Sequence, residues 1–358
     1  RSETIDGIRY FRSCSSILPP TKEVRDDSPV RAALRVAQNL LMLKMALDVA
    51  RKYKPRIVHA HSPFTCGLVA DATAAIRGIP AVYEVRGIWE GSHASRRGVD
   101  ESTLRYKGVR FLENLALRHA DFCCVIGTAL EHELRLRGVP ADKIRIFPNG
   151  VDTRSFFPAA PPSVLIDRLG LAGKTAIGYI GSFFQFEGLD IMVAAMGALA
   201  PDFPDLRLLL VGDGELMPRL RELAAELNIE ERVIFTGRIP HAAVADYYRA
   251  CDFLVLPRRD SNETRLVTPL KPMEIMAMEK AVVASDISGH REMVEDGMNG
   301  LMFKSEDPVD LADKCRKLLT DATLREELGR RARTWVLANR DWRVLVDRYL
   351  DLYAALAG

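Results

Sequence analysis

Short apolar runs alternate along most of this chain with segments whose apolar residues recur at helical spacing. In residues 29–54, for example, Leu34, Ala37, Leu41 and Met45 repeat every three or four positions. The apolar runs predict strands at residues 8–11, 56–61, 81–85, 122–126, 144–147, 175–180, 206–211, 253–257 and 281–285. The periodic segments predict helices at residues 29–54, 64–77, 103–120, 130–136 and 308–319, further helices from residues 189 and 268, and a terminal run reaching residue 356. This alternation predicts doubly wound parallel sheets, which bind ligands at the carboxyl ends of their strands.

The alternation is interrupted once, near the middle of the chain. Pro148–Asp152 is a tight-turn sequence in which Gly150 would supply a positive φ. Residues 153–173 carry prolines and show weak patterning, which is typical of a linker. We therefore expect two Rossmann-like domains, at residues 1–150 and 151–334, followed by a C-terminal helix at residues 335–358.

The stretch 256–300 concentrates the unusual residue choices of the chain. Thr268 suits the N-cap of a helix and Pro269 its first position, because a hydroxyl accepts an orphan N–H and the φ of proline is already helical. A helix N-terminus attracts anions, and four cationic residues lie around this one in sequence: Arg258, Arg259, Arg265 and Lys271. The pattern is typical of a diphosphate site, with Glu274 able to accept hydrogen bonds from a ribose diol. An ordinary capped helix with solvated arginines fits the local pattern as well.

Several motifs resemble those of the retaining glycosyltransferases of family 4, which have the GT-B fold. The matching segments are Pro148–Asp152, Gly212–Glu215, Glu274–Met278, Ala281–Ser285, Gly289–Glu292 and Gly297–Gly300. Residues 264–272 are most similar to a branch of the family found beside bacterial exopolysaccharide and exosortase (PEP-CTERM) gene clusters. The resemblance implies a nucleotide-sugar site in the cleft between two Rossmann-like domains, and a last helix that crosses back to the first domain.

The chain departs from the family pattern at three positions. Leu266 stands where the family has the first glutamate of its paired-glutamate motif, and Glu263 is a candidate replacement. Ser182 and Glu187 stand where the family has an arginine and a lysine for the donor phosphates. A diphosphate without that pair needs other cations, and Lys271, Arg258 and Arg259 are available.

The resemblance and the strand ends together predict the site residues. Donor-binding roles are expected for Gly181, Ser182, Phe183, Gly212, Ile239, Arg259, Leu266, Val267, Thr268 and Glu274. Catalytic roles are expected for Lys271, Arg258 and Arg86, and acceptor-side roles for His61, Trp89 and Glu90. We expect no metal site and no cofactor, because two aspartates never stand in D-x-D spacing and the donor, a UDP- or GDP-sugar, is itself a substrate.

Composition bears on the cellular compartment and the surface charge of the protein. The six cysteines lack C-x-x-C spacing and indicate reduced core residues of a cytoplasmic protein. Residues 1–150 hold 24 lysines and arginines against 16 aspartates and glutamates, a balance of +8 that would suit an anionic membrane surface or simply complement the acidic second half. The first residues lack the family's opening strand and glycine-rich loop, so we expect the first domain to be incomplete at its N-terminus.

The expected function is transfer of a hexose from a nucleoside diphosphate sugar to a hydroxyl of a glycan or polyprenyl-linked acceptor, with retention and without a metal ion. The expected setting is exopolysaccharide or cell-surface glycan synthesis, and no nucleic-acid partner is expected. Two alternatives stay open: a nucleotide-sugar-binding protein with weak or no turnover, and a nucleotide-sugar 2-epimerase.

Overall fold

The structure is a computed structural model that describes residues 2–12, 29–88 and 102–358, with side chains from residue 33 onward in the second range. These residues form two compact units. The first unit comprises Arg1–Val125, Glu131–Ile146 and Asp351–Gly358, and the second comprises Ile126–Leu130 and Phe147–Leu350.

The first unit is built on a parallel sheet. The strands of this unit are β1 (Ser2–Ile5), β2 (Ile8–Phe11), β3 (Val58–His61), β4 (Ala81–Val85), β5 (Phe122–Val125) and β6 (Ile144–Ile146). Its helices are α1 (Pro29–Tyr53), α2 (Phe64–Arg77), α3 (Leu104–His119) and most of α4 (Thr128–Leu136). Strands β3 to β6 pair in chain order, while β1 and β2 form a separate antiparallel hairpin. All five residues of β4 are buried, as expected for an inner strand of a parallel sheet.

Helix ends in this unit follow local chemistry. Gly78 ends α2 with a φ of 64°, a left-handed conformation that glycine adopts without a Cβ clash, and its N–H donates to the Ala74 carbonyl. Thr103 caps α3 by accepting a hydrogen bond from the Tyr106 N–H. The bounds of α2, α3 and β4 therefore agree with the sequence prediction to within one residue.

The second unit contains a larger parallel sheet. Its strands are β7 (Thr175–Ile180), β8 (Leu206–Val211), β9 (Val233–Gly237), β10 (Phe253–Leu256), β11 (Ala281–Ser285) and β12 (Leu301–Phe303). Its helices are α5 (Ser163–Leu169), α6 (Leu189–Leu199), α7 (Met217–Glu226), α8 (Val244–Ala250), α9 (Asn262–Leu266), α10 (Lys271–Ala277), α11 (Ser288–Arg291), α12 (Pro308–Thr320), α13 (Ala322–Asn339) and α14 (Trp342–Ala357), the last of which ends in residues of the first unit.

The strand order β12-β11-β10-β7-β8-β9 places the first and fourth strands of this unit side by side at its centre. Chain connections leave β7 and β10 in opposite directions, which makes the gap beyond their carboxyl ends a topological switch point. The β7–β10 ladder pairs Phe253 with Ile177 and Leu254 with Gly178. The residues that follow these strands are therefore placed to surround a ligand.

Three sequence predictions about this unit are wrong. Gly150 does not adopt the positive φ that was expected in the turn Pro148–Asp152. The stretch 153–173 is not wholly a linker, because α5 lies within it and buries Leu165 in the core. The helix predicted from Thr268 and Pro269 begins instead at Lys271. Leu270 is in the N-cap position, and its side chain makes no capping hydrogen bond. In the described part of the chain, no helix combines the length and the apolar character that a membrane span requires.

Candidate functional site

The loop after β7 begins the candidate donor site in the second unit. Gly181 follows Ile180 directly, and a Cβ at this position would collide with Cε of Lys271. Ser182 is exposed, and its carbonyl accepts a hydrogen bond from the Tyr179 hydroxyl at 3.1 Å. A side chain at position 181 would thus displace the end of the Lys271 side chain from its present place.

Glu187 joins two of the four cations that sequence analysis placed in this site. Lys271 Nζ donates to Glu187 Oε1 at 2.7 Å. Arg258 reaches the same carboxylate with Nη2 to Oε1 at 3.1 Å and Nε to Oε2 at 3.2 Å. Because Arg258 follows β10 and Glu187 lies in the loop after β7, this cluster stands at the switch point. We call Glu187, Arg258 and Lys271 the charge cluster.

The opposite charges within the charge cluster keep Glu187 ionised and oppose the effect of burial on Lys271. Burial alone would raise the pKa of Glu187, but the charges of Lys271 and Arg258 and their hydrogen bonds outweigh burial and lower the pKa to about 2. Burial lowers the pKa of Lys271, while Glu187 opposes that effect. Glu187 is a residue whose role sequence reasoning missed, since it was identified only as a departure from the family lysine.

Glu274, the predicted ribose ligand, lies one helical turn beyond Lys271 on α10. Its Oε2 accepts a hydrogen bond from the Tyr248 hydroxyl at 2.7 Å. Burial raises the pKa of Glu274, against the lowering effects of the Tyr248 hydrogen bond and the Lys271 charge. The tyrosine therefore fixes the orientation of a carboxylate whose charge also acts on Lys271 of the charge cluster.

The residues before α10 are arranged differently from the prediction. The N–H of Val267, an expected donor-binding residue, is already engaged, because it donates to the Glu263 carbonyl at 3.1 Å. The Thr268 side chain is not an N-cap: its hydroxyl lies 3.3 Å from the Ile126 carbonyl, and its carbonyl accepts from Asn149 Nδ2 at 3.1 Å. The reason is that α9, which carries Leu266 and Glu263, occupies the segment between β10 and α10.

The structure does not gather all four predicted cations. Arg259 pairs with Asp190 and with Glu306, the latter at 3.0 Å. Arg265 makes two hydrogen bonds to Asp260, each 2.6 Å long, at the surface. Only Arg258 and Lys271 of the four share the charge cluster.

The remaining predicted donor residues line the ends of neighbouring strands. Gly212 follows β8, and a Cβ there would collide with the Gly181 carbonyl. Phe183 is fully buried and anchors the loop after β7 through N–H donation to the Asp213 carbonyl. Ile239 follows β9 and packs against the core while staying partly exposed.

His290 is a second residue that sequence reasoning did not assign, although it lies within the quoted Gly289–Glu292 motif. It is fully buried on α11, and its Nδ1 lies 2.9 Å from the Ser285 carbonyl, which assigns the proton to Nδ1. Burial, reinforced by the charge of Arg258, lowers the pKa of His290 to about 3. Within the described residues, Nε2 has no hydrogen-bond partner, so a neutral imidazole acceptor stands close to the charge cluster.

In the first unit, the predicted residues His61 and Arg86 meet at Glu84. His61 Nδ1 lies 3.2 Å from Glu84 Oε1, and Arg86 Nη1 donates to the same oxygen at 2.8 Å. Burial by itself would raise the pKa of Glu84, but hydrogen bonds from His59 and His61 and the charges of His61 and Arg86 hold it well below its usual range. Sequence analysis did not assign Glu84, although a glutamate in a strand as apolar as β4 could have identified it as a candidate site residue. Trp89 and Glu90, also predicted on this side, lie outside the described residues.

His59, His61 and Glu84 are also the described side chains that could hold a metal ion. Their ligand atoms all lie within 4.8 Å of one another. His59 Nδ1 faces the Tyr353 hydroxyl at 2.5 Å, which leaves Nε2 toward Glu84. Because Arg86 already places a positive charge on this carboxylate, a cation would have to compete with the guanidinium.

Comparison with known proteins identifies the family. A model described as "Glycosyl transferase 4-like domain" matches residues 4–150, and one described as "Glycosyl transferases group 1" matches residues 174–321. The chain is 30% identical over 315 residues to an uncharacterized glycosyltransferase of Methanocaldococcus jannaschii, an alignment that covers 87% of this chain and 76% of that protein. The chain therefore belongs to the group 1, family 4-like glycosyltransferases.

Two further similarities support the family and the fold. A D-inositol 3-phosphate glycosyltransferase of Stackebrandtia nassauensis is 30% identical over 287 residues, which cover 76% of this chain and 62% of that protein, so the chain spans about three fifths of its length. The crystal structure of Anabaena HepE in complex with UDP superposes with a TM-score of 0.75 at 20% identity, covering 88% of this chain and 82% of that one. The fold is GT-B, as the sequence predicted.

Proposed function

We propose that this protein transfers a hexose from a nucleoside diphosphate sugar to a hydroxyl of a glycan or lipid-linked acceptor, with retention of the anomeric configuration. The bond from the anomeric carbon to the diphosphate breaks, and a bond to the acceptor oxygen forms on the same face. The acceptor proton passes to a phosphate oxygen of the leaving group. No metal ion takes part in this scheme.

The observation that carries the proposal is the placement of Lys271 and Arg258 at the switch point of the second unit. Charge develops on the diphosphate as the glycosidic bond breaks, and preorganised cations stabilise such charge because they need no reorganisation. Glu274 is positioned by Tyr248 to accept hydrogen bonds from the ribose. The ribose contact is alike in ground and transition states, so it contributes to binding rather than to the chemical step.

The donor and acceptor classes follow from chemistry and from the relatives. HepE was crystallised with UDP, and the Stackebrandtia relative is named for transfer to an inositol phosphate, which supports a nucleoside diphosphate donor and a hydroxyl acceptor. Our proposal is that the donor is a UDP- or GDP-hexose and that the acceptor belongs to exopolysaccharide or cell-surface glycan synthesis. We also propose that the protein acts while peripherally bound to an anionic membrane surface. The proposed role in exopolysaccharide synthesis is based on the similarity of residues 264–272 to the exopolysaccharide branch of the family.

One set of observations favours a second candidate, a nucleotide-sugar-binding protein with little turnover. Ser182 is exposed and carries no charge, Leu266 replaces a carboxylate, and Glu187 neutralises one of the two cations in the charge cluster. A site with these features would bind a nucleotide through base and ribose contacts but stabilise the departing diphosphate weakly.

Thermal unfolding with a panel of nucleotide sugars, followed by assays of nucleoside diphosphate release, tests the proposal. A donor present at 100 times its dissociation constant should stabilise the protein by about 2.7 kcal/mol. Release of nucleoside diphosphate that depends on an acceptor hydroxyl supports the transferase. Stabilisation without any release favours the binding protein, and no stabilisation by any UDP- or GDP-sugar contradicts both.

A further inference from the structure

Glu187 is the anion of the charge cluster and contacts both of its cations. Its side chain is almost fully buried, and both of its oxygens accept hydrogen bonds from cations. Lys271 and Arg258 are themselves largely buried, with side-chain exposures of 17% and 13%. Two cations brought together in such a site repel each other and lose hydration, so the site needs an anion before any ligand arrives.

The surroundings of Lys271 show which groups decide its protonation. Glu187 faces the ammonium from the loop after β7, and Tyr179 presents its ring from β7 with the centroid 4.9 Å from Nζ. Arg258 acts from the loop after β10, and Glu274 acts from the same helix, α10. His290 on α11 is neutral and adds no compensating charge. Glu187 is therefore the carboxylate in direct contact with the ammonium, and Arg258 and burial both work against the charged form.

We infer that Glu187 is a positioning residue that acts as a resident counter-ion: it keeps Lys271 protonated and holds Lys271 and Arg258 together, so that the site is ready for a diphosphate. This inference rests on the proposed function, because it assumes that the charge cluster receives the donor phosphates. The cluster keeps a net single positive charge, enough to attract a diphosphate without leaving two unpaired buried cations in its absence.

The inference predicts a specific effect of removing the carboxylate charge. In Glu187→Gln, burial and Arg258 act on Lys271 against the charge of Glu274 alone, without that of Glu187, so the ammonium loses its proton at a lower pH. Removal of a contacting opposite charge shifts a titration by about one pH unit or more. The affinity for a nucleoside diphosphate should then fall, as pH rises, at a midpoint at least about one pH unit below that of the wild type.

Titration calorimetry with UDP and GDP between pH 6 and pH 10 measures this effect on the whole chain. Glu226→Gln is the matched control, because Glu226 is an exposed carboxylate that pairs with Arg219, and its profile should match that of the wild type. Glu187→Asp keeps the charge on a shorter side chain and should shift the midpoint in the same direction by less. If Glu187→Gln does not fold, the midpoint of Glu187→Asp tests the inference instead.

The outcomes separate the inference from the proposed function. A lowered alkaline midpoint in the Glu187 variants, with Glu226→Gln unchanged, supports the inference. Binding by the wild type with the same midpoint in the Glu187 variants overturns the inference alone. Absence of UDP and GDP binding by the wild type at every pH overturns the proposed function and the inference with it.

Discussion

Lys271 is fixed on two sides, by the Glu187 carboxylate at 2.7 Å and by the Tyr179 ring at 4.9 Å. A cation held in this way stabilises charge on a departing diphosphate more than a mobile surface lysine, because its position is set before the reaction. Arg258 shares the same carboxylate but also stacks near Phe186, with 5.7 Å between its Cζ and the ring centroid. Arg258 lies in the loop after β10 and Lys271 lies on α10, so the two side chains reach Glu187 from different elements.

The replacement Lys271→Ala should lower turnover by about 100- to 1000-fold, because a preorganised charge donor is worth on the order of 3 to 4 kcal/mol in the transition state. Steady-state rates of nucleoside diphosphate release measure the loss. Lys304→Ala is the control, since the Lys304 side chain is 80% exposed and pairs only with the nearby Asp307 among the described contacts. A rate within about twofold of the wild type for Lys271→Ala would refute the assignment of the charge cluster.

Glu274→Gln should behave differently from Lys271→Ala. A ribose ligand acts equally in the ground state and the transition state, so its loss raises KM and leaves kcat nearly unchanged. Measurement of both constants for both variants distinguishes the roles. A large fall in kcat for Glu274→Gln would place this carboxylate at the reacting atoms instead.

His290 links the same site to the acid stability of the protein. Its pKa is lowered to about 3 in the folded protein by burial and by Arg258, while an unfolded histidine titrates near its ordinary value of about 6.5. The unfolded state therefore takes up the proton first, so this contribution to stability is present above about pH 6.5 and is lost as pH falls toward 3.

Replacement of His290 by Asn, which can still donate to the Ser285 carbonyl, should remove this dependence. Between pH 6.5 and pH 5 the unfolding free energy of the variant should fall less steeply than that of the wild type, by up to about 1.4 kcal/mol per pH unit. Urea denaturation at several pH values measures the slope. His132→Asn, at an exposed position on α4, serves as the control, and parallel slopes for His290→Asn and the wild type would contradict the prediction.

At the scale of the elements, α2 carries a carboxylate that the candidate site does not use. Both oxygens of Asp71 are buried and lack a hydrogen-bond partner among the described residues. Burial raises the pKa of Asp71 to about 7, with the His119 charge opposing and the Asp121 charge adding to that effect. The helix thus keeps Asp71 protonated at a pH where an unfolded aspartate is ionised.

Asp71→Asn should stabilise the protein, and the gain should grow with pH. The contribution of Asp71 to stability is fully present below the unfolded pKa and is lost as pH rises through about 7, so the variant should gain more at pH 8 than at pH 5. Thermal unfolding at these two pH values compares Asp71→Asn with Asp48→Asn, an exposed position on α1. Equal gains at pH 5 and pH 8 would show that the carboxyl group is not perturbed.

At the scale of the whole molecule, charge is distributed unequally. Residues 1–150 carry 24 lysines and arginines against 16 aspartates and glutamates, a balance of +8, whereas the chain as a whole has a net charge of +2. Within this part, α3 exposes Leu104 and Phe111, at 88% and 65%, next to the exposed Lys107 and Arg110. Apolar and basic side chains on one helix surface are typical of contact with anionic lipid.

Anionic vesicles should therefore retain the protein at low salt and release it as salt rises, because attraction between surface charges is screened beyond about 10 Å at 0.1 M. Co-sedimentation should show that the double replacement Lys107→Glu and Arg110→Glu weakens retention. The pair Lys304→Glu and Arg330→Glu, in the second unit, should not. Equal retention on neutral and anionic vesicles would count against membrane contact.

The sequence by itself determined the elements, the fold and the family. Helix and strand periodicities are local, and strands such as β4, β7, β8 and β11 have the predicted bounds for that reason. The family motifs are short contiguous segments, such as Glu274–Met278 at α10 and Ala281–Ser285 in β11, so they could be recognised without knowledge of tertiary contacts. Prediction failed where short helices depend on tertiary packing, as at α5 and α9, because a helix of five to seven residues has little stability of its own.

Only the tertiary structure decided which cations act together. Arg258, Arg259 and Lys271 look equivalent in the sequence, but Arg259 turns to Asp190 and Glu306 while the other two meet Glu187. Glu187 lies 71 positions from Arg258 and 84 from Lys271, and no local pattern connects residues so far apart. Their contact exists because the sheet places β7 beside β10, and the free energy of pairing buried charges depends on that distance and burial rather than on residue type.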